Sequence, residues 1–466
     1  MKININIDAD PRVKEKLKYG FTILFQPLRA EIVFTEAAQE NGINIFYGKE
    51  SLSVRQDAFH LNASDELEDC IRNSKLPDIS GIDWFEFSGK KLPKIFPVSN
   101  SEINFDIAAA GFMLASEFQD LISLERDEFD RFRAMDSLQD KLGILDFPVV
   151  NYYSMLLKRK LGDFFGVNIE AKKYGNADHG LALTHDIDYT SSLNFRMIKR
   201  NLFGHAILNN EGLTPVQRGK KLLYPLMAIA GNDPPRRGLN LLRDIESERG
   251  LKSTFFVKTG ATAKQDVNYN HRSPSFRRFL DSLIDKGFEI GIHPSMKTYV
   301  DGKPLISEKT RLEEAIRKEV HSVRQHYLKF TSSKTVGVWE EAGLKYDSTL
   351  GFSRRAGFRN SVAFPFPLYN FGKDRTSTVI ELPLLIMDGT FADTRSLTSE
   401  ETFEKMRNLV HSTKAASGAA AILFHNSISD PIDFPDYEAI YDRLLTEAEE
   451  DGFRADTLAG IIEDFR

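Results

Sequence analysis

From about residue 177 onward, the 466-residue chain alternates short apolar runs with helix-like stretches. The runs cover residues 181–188, 253–257, 288–293, 379–385 and 419–425, and the helical patterns cover 239–248, 276–286, 308–318 and 400–412. Leu312, Ile316 and Val320 recur on one helical face, and Thr398 with Glu401 forms a capping box. Parallel strands need such crossovers, so the pattern predicts an α/β fold around a parallel sheet, open or closed into a barrel. In folds of this kind the chemistry sits where the strands end.

Several of these ends carry ionisable residues. The first run closes with Thr184-His185-Asp186-Ile187-Asp188. Strand side chains alternate, so Asp186 and Asp188 share a face, where two carboxylates repel unless a cation or proton separates them. A metal resolves that cost; two exposed loop aspartates capping a helix fit the same spacing. His293, in Ile292-His293-Pro294-Ser295, is a ligand or a hydrogen-bonded core histidine. In Val323-Arg324-Gln325-His326-Tyr327, a strand puts Arg324 and His326 on one face, whereas a continuation of the helix from Glu308 exposes both. His425 ends Ala421-Ile422-Leu423-Phe424-His425. Three of only 10 histidines thus lie at or near strand ends that also hold the Asp pair, which points to one site.

Three further segments join polar groups to Gly, Pro or aromatic residues near expected strand ends: Tyr346-Asp347-Ser348-Thr349-Leu350-Gly351, Gly357-Phe358-Arg359, and Leu382-Pro383-Leu384 through Asp388. Asp347, Arg359 and Asp388 are the candidate substrate contacts, with ordinary turn chemistry as the alternative. Trp339 is expected to pack a helix.

Composition narrows the partners. A formal net charge of -6 gives no general attraction to nucleic acid, and 41% apolar residues exclude a disordered chain. Cys70 is the one cysteine, so any metal must be held by His, Asp or Glu. The start of the chain lacks the apolar core of a signal peptide and no run of about 18 apolar residues occurs, so a soluble cytoplasmic protein is expected. Residues 193–240 interrupt the alternation with eight basic residues (Arg196, Lys199, Arg200, Arg218, Lys220, Lys221, Arg236 and Arg237) against Glu211 and Asp233. They form either a helical insertion with a solvated basic face or a patch that receives an anionic glycan or lipid headgroup.

The first 176 residues are less patterned. Apolar runs at 21–25 and 43–47 flank a helix-like stretch at 34–40; 105–114 reads as a buried helix, 126–133 as a solvated charged stretch, and 149–161 as an amphipathic helix. The expected organisation is a mixed α/β amino-terminal domain (1–100), a helical connection (101–176) and an α/β domain (177–466). Oligomeric state is not legible.

The motifs at 184–188, 253–257, 289–295, 324–327 and 423–425, in this order, resemble polysaccharide deacetylases with a NodB-homology domain, of the carbohydrate esterase family 4 type. Residues from about 101 to 161 resemble the amino-terminal region of a bacterial subgroup of that family. The resemblance implies a distorted (β/α) barrel holding a divalent metal, zinc with nickel, cobalt or manganese as alternatives. It implies Asp186 as catalytic base, Asp188 and His293 as metal ligands, Arg324 as the residue orienting the base, and His425 as general acid. Lys297 stands where the family has its second metal histidine, and His326 is taken as the substitute. The implied activity is removal of N-acetyl groups from amino sugars of a glycan or its precursor. Hydrolysis of another non-peptide carbon–nitrogen bond and non-catalytic glycan binding are the alternatives, and an anionic or lipid-linked substrate fits the basic insertion.

Overall fold

The computed structural model describes residues 1–48, 58–99, 101–194, 198–199, 214–267, 269–392 and 397–466. The chain begins with a parallel sheet of strands β1 (Lys2–Ile7), β2 (Glu31–Thr35), β3 (Ile43–Gly48) and β4 (Phe59–Asn62), in the order β2-β1-β3-β4. Ile3, Ile5 and Ile7 of β1 alternate inward, as a half-buried strand requires. The apolar run at 21–25 is the last turn of the helix Pro11–Phe25, whose start is fixed by Pro11 and by Asp10 accepting from the Arg12 amide. The stretch at 34–40, expected to be helical, instead carries the end of β2, where Ile32, Val33 and Thr35 are β-branched. Strands β5 (Trp84–Phe87) and β6 (Lys90–Pro93) form a separate hairpin.

The helix Ile107–Ala115 is wholly buried, as its Ala-rich sequence predicts, and lies directly on the helix Pro11–Phe25. The two backbones pass so closely that a Cβ on Gly20 would stand 2.0 Å from the Ala108 carbonyl oxygen. The first helix also reaches the second sheet, where the Tyr19 hydroxyl donates to the Pro367 carbonyl at 3.0 Å. Buried apolar side chains of the amino-terminal and carboxyl-terminal regions form one continuous cluster, so the two regions share a core.

The second sheet holds β7 (Gly180–Ile187), β8 (Thr254–Val257), β9 (Glu289–Ile292), β10 (Ser322–Val323), β11 (Tyr346–Asp347), β12 (Phe366–Asn370), β13 (Arg375–Glu381), β14 (Leu384–Met387), β15 (Ala419–Leu423) and β16 (Arg454–Asp456). Their order is β12-β13-β11-β10-β9-β8-β7-β15-β14; β16 pairs with the start of β7 and β8 with its end. Only the β12–β13 pair is antiparallel. The expected strand at 379–385 is divided at Leu382-Pro383, and its halves belong to opposite ends of the sheet. In a flat sheet, seven strand spacings would separate β13 from β14 by about 34 Å. Two intervening residues span at most about 10 Å. The sheet therefore curls back on itself. Leu382 donates its amide to Asp347 at the end of β11, and Pro383 accepts from Ala421 of β15, so this short link bridges the two edges. The result is a mixed α/β, distorted barrel whose gap is closed by chain continuity and not by a full ladder.

The helix Gly302–Ile316 ends four residues before Val320, so Leu312 and Ile316 keep the common face while Val320 leaves it. Thr398 and Glu401 make the expected capping box, and Trp339 is buried on its helix against Phe330. Within the insertion, Arg196, Arg200 and Glu211 lie outside the described residues; the remainder includes the helix Pro215–Ile229 and the start of Pro234–Glu248. Its basic residues are not uniformly solvated, because the buried Lys221 binds Asp430 at 2.7 Å and Asp433 at 2.6 Å.

Arg359, expected to contact substrate, is buried. Glu117 from the amino-terminal region chelates its guanidinium, the Gly351 carbonyl accepts from it at 3.1 Å, and Asn360 also donates to Glu117. A buried charge deprived of its partner is costly. Glu117→Ala is therefore expected to lower the unfolding free energy by about 3–5 kcal/mol in denaturant titrations. Glu117→Gln, which keeps the shape, should lose less.

Candidate functional site

Alternation along β7 turns Asp186 inward and sends His185 to the opposite face, where it binds Glu246 and the Phe424 carbonyl, both at 2.8 Å. Asp188 follows two residues after Asp186, on the same side. The chain then brings His293 after β9 and His326 in the turn after β10. His293 Nε2 lies 3.7 Å from Asp188 Oδ1 and also 3.7 Å from Asp186 Oδ2; His326 Nε2 lies 3.4 Å from Asp188 Oδ1. The helix continuation that would have exposed Arg324 and His326 does not occur.

Both imidazoles are oriented from behind. His293 Nδ1 donates to the Arg324 carbonyl at 2.6 Å, and His326 Nδ1 donates to Asp266 at 2.7 Å. Each Nε2 lone pair therefore faces the common centre, as a ligand histidine requires. Burial pushes the His293 pKa down, which favours the neutral, ligating form. Burial alone would raise Asp266, but the His326 hydrogen bond and backbone amides hold it at about 2. Asp188 is also opposed by burial, yet Lys258, His293 and His326 keep it well below the usual carboxyl range. The Asp188, His293 and His326 donor atoms all lie within 4.8 Å of one another. Donors about 2.1 Å from a tetrahedral zinc stand about 3.4 Å apart, so the set suits such an ion.

One cation already uses two of these donors. Lys258, immediately after β8, donates from Nζ to Asp188 Oδ1 at 2.9 Å and to His326 Nε2 at 2.8 Å. The sequence held a signal for it, a lysine closing an apolar strand as the aspartates and histidines close theirs.

His425 follows β15 on the other side of Asp188, with Nε2 3.8 Å from Asp188 Oδ2. Asp388, expected to touch substrate, is fully buried beneath it. The Asp388 carboxylate accepts from the His425 backbone amide at 2.7 Å and from Nδ1 at 2.6 Å. Burial works against a charged His425, but Asp388, followed by Asp188 and Asp186, outweighs it and raises the pKa to about 9. Asp388 thus fixes the orientation of the His425 ring.

Arg324 is wholly buried, with Phe256 beneath its guanidinium; Nη2 donates to Thr184 at 2.9 Å and Nη1 stands 4.0 Å from Asp186 Oδ1. Asp347, the third expected substrate contact, is likewise sealed inside the barrel, hydrogen-bonded to Thr349 at 2.5 Å and adjacent to Glu381. Burial pushes both carboxyls up, and Asp347 pushes Glu381 further, well above the ordinary range. The folded pair thus retains a proton that the unfolded chain releases above about pH 4.3. Stability from that proton is present below this value and is lost as pH rises toward the folded pKa. Thermal midpoints measured from pH 5 to 8 should fall more steeply for the natural chain than for Glu381→Gln.

A cavity of about 290 Å³ contains Asp186, Asp188, Lys258, His293, His326 and His425. Its wall includes Glu128, Phe129 and Arg131, so the charged stretch at 126–133 is not merely solvated. Arg131 pairs with Asp127 and donates to the Tyr327 carbonyl at 2.9 Å, Lys329 donates to the Phe129 carbonyl at 2.7 Å, and the Phe129 and Tyr327 rings stand 4.8 Å apart. These contacts clamp the amino-terminal segment onto the turn that carries His326. Tyr327 holds a left-handed φ of 61° in that turn. A second chamber of about 220 Å³ shares Asp188, Tyr189, Gly389 and His425 with the first and includes Tyr224 of the insertion.

Residues 5–166 match a family of unknown function, DUF7033. No curated protein sequence matches the chain. Among solved structures, an allantoinase is 12% identical with a TM-score of 0.40, the match covering 62% of this chain and 91% of that one. A CE4 family pseudoenzyme from Bacillus anthracis is 12% identical at 0.34, covering 63% and 69%. A chitin deacetylase from the fungal pathogen Colletotrichum lindemuthianum is 16% identical at 0.33, covering 61% and 87%. What the cleft can do follows from its own side chains.

Proposed function

We propose that the chain is a metal-dependent hydrolase that removes N-acetyl groups from amino sugars of a glycan or glycan precursor. The observation that carries this reading is the grouping of Asp186 and His425 around the Asp188–His293–His326 set, a proton acceptor and a proton donor beside a place for a Lewis acid. A divalent ion held there, zinc or one of nickel, cobalt and manganese, would supply carbonyl polarisation and acidify water. Asp186, with Arg324 as countercharge, accepts the proton of the attacking water. Oxygen adds to the amide carbon, and the carbon–nitrogen bond breaks only when the nitrogen leaves as an amine, because an amide anion is too poor a leaving group near neutral pH. His425 supplies that proton from Nε2 while Asp388 retains Nδ1. Asp388 beneath it favours the charged form that gives up this proton. The products are acetate and the free amino sugar.

The test is acetate release from N-acetylglucosamine oligosaccharides beside ring opening of small cyclic amides. Acetate supports the reading; turnover of the cyclic amides alone assigns another non-peptide carbon–nitrogen bond. Sugar binding without turnover is a second reading, favoured by Lys258, whose ammonium already engages Asp188 and His326. Sugar binding with neither product would support it.

A further inference from the structure

The helix Pro215–Ile229 buries Lys221 and turns a row of apolar side chains outward. On its inner side, Lys221 and the Tyr224 hydroxyl both bind Asp430 at 2.7 Å. Val216, Leu222, Leu223, Leu226 and Ile229 are 42–72% exposed. These are five of the thirteen exposed large apolar side chains among the described residues. At 100° per residue they occupy one arc of about 140°, opposite Lys221 and Tyr224, with Arg218 and Lys220 at its two edges. A water-facing helix ordinarily has the reverse pattern, so this face is built to be covered.

Charge identifies the cover. Residues 214–232 contain Arg218, Lys220 and Lys221 and no Asp or Glu, and Lys220 is exposed. A broad apolar arc edged by one sign of charge complements a surface of hydrocarbon and phosphate. Fifteen residues rise only about 22 Å, too short to cross the roughly 30 Å apolar core of a bilayer, so such a helix lies in the interface. No helix among the described residues is long and apolar enough to span a membrane.

We propose that the outer face of Pro215–Ile229 docks on an anionic lipid surface, its apolar arc entering the interfacial layer and Lys220 at its edge meeting headgroup phosphates. Tyr224 on the inner side lines the chamber beside His425, so the docked helix forms part of the cleft's border. The proposal stands apart from whatever reaction the cleft performs.

The test is co-flotation of the full chain with phosphatidylcholine vesicles, with and without phosphatidylglycerol. Recovery should depend on phosphatidylglycerol and fall with added salt. It should drop about fivefold for Lys220→Gln, which removes one surface cation, and further for Leu223→Glu combined with Leu226→Glu. These side chains are exposed, so circular dichroism and the thermal midpoint should stay unchanged. Equal recovery without vesicles, or binding that ignores both sets of substitutions, would overturn the proposal. So would a concentration-dependent dimer, seen by light scattering without vesicle binding and abolished by Leu226→Glu, which would make the face an interface between copies.

Discussion

Asp186→Asn is expected to cut acetate release by roughly 10²- to 10⁴-fold, the range in which a positioned general base contributes. Asparagine keeps the size of the side chain and removes its capacity to accept a proton from water. The three candidate ligands, Asp188, His293 and His326, are untouched, so bound zinc should stay at the level of the natural chain. Steady-state acetate release and metal content, measured on the same preparations, separate the two effects. Loss of zinc together with turnover would make Asp186 a ligand, and undiminished release would place the base elsewhere.

Lys258→Met should bind zinc at least about tenfold more tightly, a difference of about 1.4 kcal/mol. In the natural chain the ammonium uses Asp188 Oδ1 and His326 Nε2, so a divalent ion must displace it from both. Even unit like charges about 4 Å apart cost about 4 kcal/mol at an effective dielectric of 20, which makes the tenfold figure a lower bound. Methionine keeps an apolar stem of similar reach without the charge. Competition against a chromophoric chelator measures the effect directly. Affinity unchanged or weakened by the substitution would show that Lys258 does not compete, and a loss would point to a supporting role.

The features legible in the sequence were those with a local signature. A strand that ends in Asp-x-Asp, Ile-His-Pro or Phe-His announces both its direction and its chemistry, and Asp186, Asp188, His293, His326 and His425 do converge on one cavity. Long-range pairings left no such signature. Asp388 lies 37 residues from the His425 it holds, Asp266 lies 60 from His326, and Phe129 reaches the cleft from about 200 residues away in the chain. Each looks locally like an ordinary turn residue. The same limit applies to Asp347 and Arg359, whose polar groups beside Gly and aromatic residues near strand ends suggested substrate contacts, whereas the structure buries both, next to Glu381 and Glu117. Short apolar runs were ambiguous for another reason: Phe21 to Phe25 fits a strand or the end of a helix until the turns before it are packed. The helix Pro215–Ile229 reverses the usual rule, since it buries Lys221 with Tyr224 and leaves its Leu and Ile side chains exposed.

The central claim is that Asp188, His293 and His326 together hold one divalent ion. It is tested most directly by equilibrium dialysis against zinc of the natural chain beside His326→Ala, with circular dichroism to verify folding. The account predicts one zinc per natural chain and at least a tenfold weaker site in the folded variant, from loss of one of three protein ligands. Zinc bound equally by both chains, or by neither, would contradict it.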